Sequence, residues 1–430
     1  MTAEVIVINK SAVAIAADSA VTIDSGRAEK IYNSVDKIFE LSAHHPVGLM
    51  INGGLEFMGF PLGVLVKLYR SKRGTHHKAT VSEYVDDFLS YLSSEVDIPD
   101  AERKLNVGRI LFSLYNDVWD EINAAGRRLF AKEPRFSRPK FNNRVMLPIL
   151  EQRIADLQHE KQLINVPKNK EGTLWQVYKT EHESALNAVI GNWKLIGRAR
   201  SGFNRLCGLA LTRAAFSTFS SVLIFAGFGN DEVFPSVQSV EIDGIVCDKM
   251  KVSKSAVTEA GKVPSGAEVL PFAQHEMVDR FLDGVDPGYD RYIRTSMRRV
   301  IQDFGDDLID QHFVGSDADK RSAKAKMRVR RTALVNEFFR NSKAFKDQRF
   351  KSGILDMVRF MPKQELAHMA ESLVNLTTIK RHVSAEKETV GGPIDIAVIS
   401  KSEGFVWIKR KHYFDKEFNH RYFARHFGTR

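Results

Sequence analysis

Thr2, Asp18, Lys37 and Gly53 would together supply a nucleophile, its base, a charged pair and an oxyanion donor. Removal of Met1, which a small following residue permits, would leave a hydroxyl and a free α-amine on Thr2. Such an amine titrates at about 7.7 to 8.0 and can take the proton of its own side-chain nucleophile. The threonine β-branch restricts χ1 and would hold the hydroxyl in one orientation. Asp18 ends the apolar run Ala14-Ile15-Ala16-Ala17, and a carboxylate at a buried strand end requires a partner. Lys37 opens Lys37-Ile38-Phe39-Glu40-Leu41. If the three strands are neighbours, Asp18 fixes Lys37, and the ammonium lowers the pKa of the Thr2 amine and hydroxyl. Gly53-Gly54 follows the next apolar run, where a backbone N–H would meet a developing oxyanion. Each group also has a plainer reading: a Met-Thr start without consequence, a surface ion pair, a strand-to-helix turn.

The elements that must position these residues are legible from periodicity. Glu4 to Ile8 and Ala12 to Ala17, separated by Asn9-Lys10-Ser11, predict a hairpin. Lys37 to Leu41 and Val47 to Asn52 predict a second strand pair. From about Leu55 to Phe216 the pattern is helical, clearest in Val81 to Leu92, Val107 to Ile122 and Leu150 to Leu163. Arg127 to Lys140 and Pro167 to Gly172 read as loops. Strands return at Ser221 to Gly227, Val237 to Ile242 and Gly244 to Val252, and helices at Gln274 to Leu282, through the basic segment, and at Gln364 to Ile379. Ile394 to Ile399 and Phe405 to Lys409 are the closing strands. This order fits two stacked sheets covered by helices or an α+β layer fold, and order alone does not decide between them.

The chain has 430 residues, 43% apolar and 27% charged, an ordinary globular composition that excludes disordered and collagen-like classes. Cys207 and Cys247 are its only cysteines, which excludes a disulfide framework and fits a reducing, cytoplasmic setting. No apolar run of about 18 residues is present, and no signal-peptide pattern, so no membrane association is expected. The net charge of +10 is concentrated. Ala318 to Lys351 holds twelve Lys and Arg against three Asp and Glu, and the remainder is nearly neutral.

Thr2-Ala3-Glu4-Val5-Ile6-Val7 with Ala14-Ile15-Ala16-Ala17-Asp18-Ser19-Ala20-Val21-Thr22 resembles the start of the proteasomal β-type subunits and of the related bacterial peptidase that works with an ATP-dependent unfoldase. The spacing from nucleophile to acid matches without a gap. Lys37 falls on the family's lysine after a slightly longer loop, and Gly53 on its oxyanion-hole glycine. Val390-Gly391-Gly392-Pro393-Ile394-Asp395-Ile396-Ala397-Val398-Ile399 resembles the family's closing Ser-Gly-Gly-x-Ile-Asp-Val-Ala-Val-Ile. The likeness covers about Thr2 to Leu55, loosely Ser221 to Val252, and Val390 to Lys409.

This resemblance implies an α+β fold of the four-layer αββα N-terminal-nucleophile hydrolase class, with large helical insertions. It divides the chain into core segments 2–55, 217–286 and 364–410, helical insertions 56–216 and 287–363, and a basic aromatic tail 411–430. It implies a threonine peptidase or amidase in which Thr2, Asp18, Lys37 and Gly53 are catalytic. The backbones of Thr22 and Gly53 would pair with an extended substrate, and Ile51 and Leu55 would line the side-chain pocket. No metal or organic cofactor is required. The implied partners are a peptide or protein substrate, further copies of the chain in a homo-oligomer, and an ATP-dependent unfoldase or other protein regulator. The family's Asp and Ser ahead of Gly-Gly are Lys387 and Val390 here, with Glu386 or Glu388 near by, and Ser265 is the weak counterpart of a further family serine.

Two rivals stand beside this reading. One is a non-catalytic relative that uses the fold for assembly, which Val390 favours and the Thr2, Asp18 and Lys37 set opposes. The other is a nucleic-acid-associated protein acting through Lys320, Arg321, Lys324, Lys326, Arg328, Arg330 and Arg331, with Phe338, Phe339 and Phe345 for stacking. The second is disfavoured, because no recognised binding motif accompanies the charge.

Overall fold

The structure, a computed structural model, describes residues 2–24, 29–133, 135, 137–384, 390–421 and 424. It is a mixed α+β protein. In chain order its strands are β1 (Ala3–Asn9), β2 (Ala12–Ala17), β3 (Val21–Asp24), β4 (Glu29–Tyr32), β5 (Ile38–Glu40), β6 (Val47–Gly53), β7 (Glu56–Phe57), β8 (Phe60–Pro61), β9 (Ser221–Gly227), β10 (Ser236–Val246), β11 (Lys249–Lys254), β12 (Thr258–Glu259), β13 (Ala267–Ala273), β14 (Asp395–Ser400) and β15 (Gly404–Lys409). Two compact units form, Met1–Val35 with Ala260–Val398 and Val406–Arg430, and Asp36–Glu259 with Ile399–Phe405. Among the described residues no helix is long and apolar enough to cross a membrane.

The first unit is organised by a sheet of order β13-β1-β2-β14-β15. β1 and β2 form the expected antiparallel hairpin, with Glu4 opposite Ala17 and Ile8 opposite Val13. Asn9 closes it: its Oδ1 accepts from the Ser11 and Ala12 backbone N–H groups, and its Nδ2 donates to the carbonyls of Val358 and Met361. One face of the hairpin, Ala3, Val5 and Val7 with Ala12, Ala14 and Ala16, packs beneath the helix Lys363–Val383. The row of alanines lets that helix approach closely.

β13 lies outside the sequence expectation, because Pro271 interrupts its run. The register removes the objection. Gln274 N–H donates to the Thr2 carbonyl, so Ala3 and Ala273 are a non-hydrogen-bonded pair, and so by alternation are Val5 and Pro271. The N–H that Pro271 lacks would have faced outward, from an edge strand. The basic segment is helical: Asp317–Lys346 packs along Pro287–His312, with Arg331 paired to Asp306 and Lys320 and Lys324 to Asp310.

The second unit holds a sheet of order β11-β10-β9-β6-β5, with β12 on β10. Helices Leu62–Arg73 and Val81–Ser94 cover it, and Phe88, Leu89 and Leu92 pack with Leu49, Leu223 and Phe225. Thr80 caps the second helix by accepting the Glu83 N–H, an interaction worth about 1 kcal/mol. A separate helical core forms from Asp100–Lys132, Leu147–His159, Lys179–Ile190 and Gly197–Thr212.

Several boundaries differ from expectation. The helix Asp100–Lys132 continues through the first part of the segment read as a loop from Arg127, and a single helical turn, Lys168–Glu171, occupies the second. Gly244 does not separate two strands. It sits inside β10 at a bulge with φ 80°, and the turn to β11 falls at Cys247 and Asp248.

Candidate active site

Within the first unit Thr2 stands immediately before β1, 6% exposed. Its hydroxyl donates to Asp18 Oδ1, and the same carboxylate oxygen accepts the Ala3 N–H at 3.1 Å. Asp18 Oδ2 accepts the Gly391 N–H at 3.0 Å. The Asp18 N–H donates back to the Ala3 carbonyl, and the Thr2 carbonyl accepts from Gln274, whose side chain is held by Arg381 at 2.6 Å. Three segments distant in sequence thus meet at one buried carboxylate. Glu4 was not singled out from the sequence, yet its Oε1 lies 3.4 Å from the Thr2 hydroxyl and the residue is fully buried. The signal was present: two residues apart on a strand, Thr2 and Glu4 share a face.

β1 and β2 pair, whereas Lys37 leads into β5, which pairs with β6 in the other sheet. Lys37 is buried, and its carbonyl accepts the Ile51 N–H at 2.8 Å.

In the second unit the ladder fixes which way the Gly53 N–H points. Gly54 N–H donates to the Ser220 carbonyl at 2.8 Å, so Gly53 and Ser221, which are opposite, form a non-hydrogen-bonded pair. The Gly53 N–H therefore faces away from β9, on the side where Ile51 meets Lys37. A φ of 78° makes glycine the fitting residue here, and a Cβ would stand 2.7 Å from the Ser220 carbonyl oxygen.

The segment 217–221 that holds Gly54 is itself held by a buried ion pair. Lys251 Nζ is 3.2 Å from Asp243 Oδ2, with side chains 0% and 2% exposed. Asp243 accepts the Ser217 N–H at 2.9 Å and the Ser217 hydroxyl at 2.6 Å. Lys251 also donates to the Ala215 carbonyl and, at 2.8 Å, to that of Ala210 in the last turn of Gly197–Thr212, where carbonyls lack helical partners and a cation suits the dipole. Ser220 donates to Glu241 at 2.8 Å and Ser221 to the Gly54 carbonyl at 2.6 Å. Burial lowers the Lys251 pKa against the opposing pull of Asp243, and burial raises that of Glu241. None of this network was anticipated from the sequence.

The remaining expected residues are distributed as follows. Thr22 is half-buried on β3, whose ladder partner is β4, with Thr22 opposite Ile31. Ile51 is fully buried in the core beneath the helices, and Leu55 packs against that core while its carbonyl accepts the Leu62 N–H. Val390 is buried in the first unit's core beside Val5 and Val374. The Ser265 hydroxyl turns onto the Ala267 carbonyl at 2.6 Å. Glu386, Lys387 and Glu388, and Tyr422 and Phe423 of the tail, lie outside the described residues. Among the described residues no three His, Cys, Asp or Glu side chains gather as a metal site. No protein-family model matches the chain, and no curated protein matches it.

Proposed function

We propose that the chain is a threonine-type peptidase or amidase of the four-layer N-terminal-nucleophile class, with Thr2 as nucleophile once its amine is free. The observation that carries the reading is the convergence on Asp18 of the Thr2 hydroxyl, the Ala3 N–H and the Gly391 N–H. Two of the stretches that resemble the family by sequence, 2–55 and 390–409, contribute to it.

In the proposed reaction the Thr2 amine takes the hydroxyl proton through a water while Oγ1 attacks the substrate carbonyl. The C=O π electrons move to oxygen, and the Gly53 N–H stabilises the resulting oxyanion. Collapse breaks the C–N bond, the protonated amine returns its proton to the leaving nitrogen, and an ester on Thr2 remains. Water, deprotonated by the same amine, hydrolyses the ester and restores the hydroxyl. The parts given to Lys37 and Gly53 rest on the resemblance. The Gly53 N–H direction supports its part, and Asp18 and Glu4 fix the rotamer of the Thr2 hydroxyl. Hydrolysis of a fluorogenic peptide panel tests the reading: Thr2→Ala should abolish turnover, and Thr2→Ser should retain a measurable fraction. Equal activity in Thr2→Ala would overturn it.

A further inference from the structure

The helices Pro287–His312 and Asp317–Lys346, 26 and 30 residues long, form an antiparallel hairpin within the first unit. Its register is set by Arg294, 4.4 Å from the centre of the Phe339 ring, by Arg331 paired with Asp306 and by Lys324 paired with Asp310. Gly305 and Ile309 on the first helix, and Val335 and Phe339 on the second, are buried along this seam. Each of the four follows directly on a large apolar residue that is exposed: Phe304, Leu308, Leu334 and Phe338. Val300, four residues before Phe304, and Phe345, seven after Phe338, extend the two rows. All six side chains are between 44% and 69% exposed.

One residue back is a turn of about 100° round a helix, and in an antiparallel pair the same turn on both helices leads to the same side. The two rows therefore share one face of the hairpin. A contiguous apolar face of this kind marks an interaction surface.

Two observations say what covers it. The first is its size. At about 1.5 Å per residue the shorter helix is about 39 Å long, and two helices side by side are about 20 Å wide, so the face measures about 800 Å², the share of one partner in a stable interface. The second is the charge on its rims. By helical spacing Arg299, Asp303 and Asp307 lie along the outer edge of the first helix, and Lys326, Arg330 and Glu337 along that of the second. All six are exposed and make no ion pair among the described residues. The register sets Asp303 level with Arg330, Asp307 with Lys326 and Arg299 with Glu337, on opposite rims of the hairpin. A second hairpin laid face to face, about a twofold axis parallel to the helices, brings the first helix of each copy against the second helix of the other at the same level. All three opposite-charge pairs then close, each of them twice.

We propose that this face is a self-association surface whose occupant is the same hairpin of a second copy of the chain, the two forming a four-helix bundle with antiparallel neighbours. The face lies in the insertion 287–363, outside the segments that resemble the family, and its role is independent of the peptidase reading.

Sedimentation velocity of the full chain tests it, with circular dichroism to establish that each variant is folded. The unmutated protein should sediment as a dimer at micromolar concentration. Phe304→Asp, at an exposed position, should leave the helix content unchanged and raise the dissociation constant at least about tenfold. Two rim variants give the deciding comparison. Asp303→Lys with Asp307→Lys makes both rims of the hairpin basic, and Lys326→Glu with Arg330→Glu makes both acidic. Each alone should dissociate at least about tenfold more readily than the unmutated chain, and an equimolar mixture of the two should recover the dimer, because every reversed charge then meets its opposite.

A monomer at all concentrations would overturn the proposal. So would a dimer indifferent to Phe304→Asp, or rim variants that stay apart when mixed. Binding of the unmutated monomer to phosphatidylserine vesicles or to a DNA duplex, lost in Phe304→Asp, would assign the face to that occupant and overturn the proposal as well.

Discussion

Lys251→Met should be among the most damaging single substitutions in the second unit, although it lies far in sequence from every residue of the proposed reaction. The ammonium is fully buried, and its removal leaves Asp243 charged and 2% exposed with two Ser217 donors but no cation. It also strips a donor from the Ala210 and Ala215 carbonyls. Removing one partner of a buried pair costs about 3 to 5 kcal/mol, because the other is left as an uncompensated charge. Neutralising both partners, Lys251→Met with Asp243→Asn, should cost less than Lys251→Met alone, since Asn can still accept from Ser217. Urea unfolding monitored by tryptophan fluorescence is the assay, as Trp119, Trp175 and Trp193 all pack in this unit's helical core. A loss below about 1 kcal/mol for Lys251→Met, or additive losses in the double variant, would refute the reasoning. The surviving folded fraction should also turn over peptide more slowly, because the 217–221 segment holds Gly54.

Further outcomes follow from the same geometry. Gly53→Ala places a Cβ 2.7 Å from the Ser220 oxygen at a φ of 78°, and should cost about 1 to 3 kcal/mol while lowering kcat; unchanged stability would contradict the strand register. Asp18→Asn and Lys37→Ala should each reduce the rate strongly and together little further, and full additivity would sink their coupling. His182 is fully buried between the Tyr115 hydroxyl at 2.7 Å and Asn204 at 3.1 Å, and burial, aided by Arg200, lowers its pKa below the usual 6.5. The unfolded chain binds this proton first, so the stabilisation is present above pH 6.5 and is lost as pH falls through the folded-state pKa. The urea midpoint should fall more steeply on acidification in the native chain than in His182→Gln, and parallel slopes would exclude the assignment.

The hairpin of β1 and β2 was legible because short apolar or alternating runs flank a polar three-residue turn, and the long helices because their apolar residues recur at three and four. β13 was not, because Pro271 is acceptable only in a register the sequence does not disclose. Glu4 could have been found by strand alternation from Thr2. The Asp243–Lys251 pair could not: Lys251 bonds to carbonyls some forty residues upstream, and two ionic residues eight apart look like surface charge. The link from Asp18 to Gly391 runs through a backbone N–H, which no side-chain pattern reveals.

The proposed reaction requires Thr2 to be a nucleophile with a free amine. Intact-mass measurement before and after treatment with an electrophile that bonds both the amine and the hydroxyl of an N-terminal threonine tests it most directly. The protein should begin at Thr2 and gain one equivalent of the electrophile, with no gain in Thr2→Ala. A residue retained ahead of Thr2, an acetylated Thr2, or an equal gain in Thr2→Ala would contradict it.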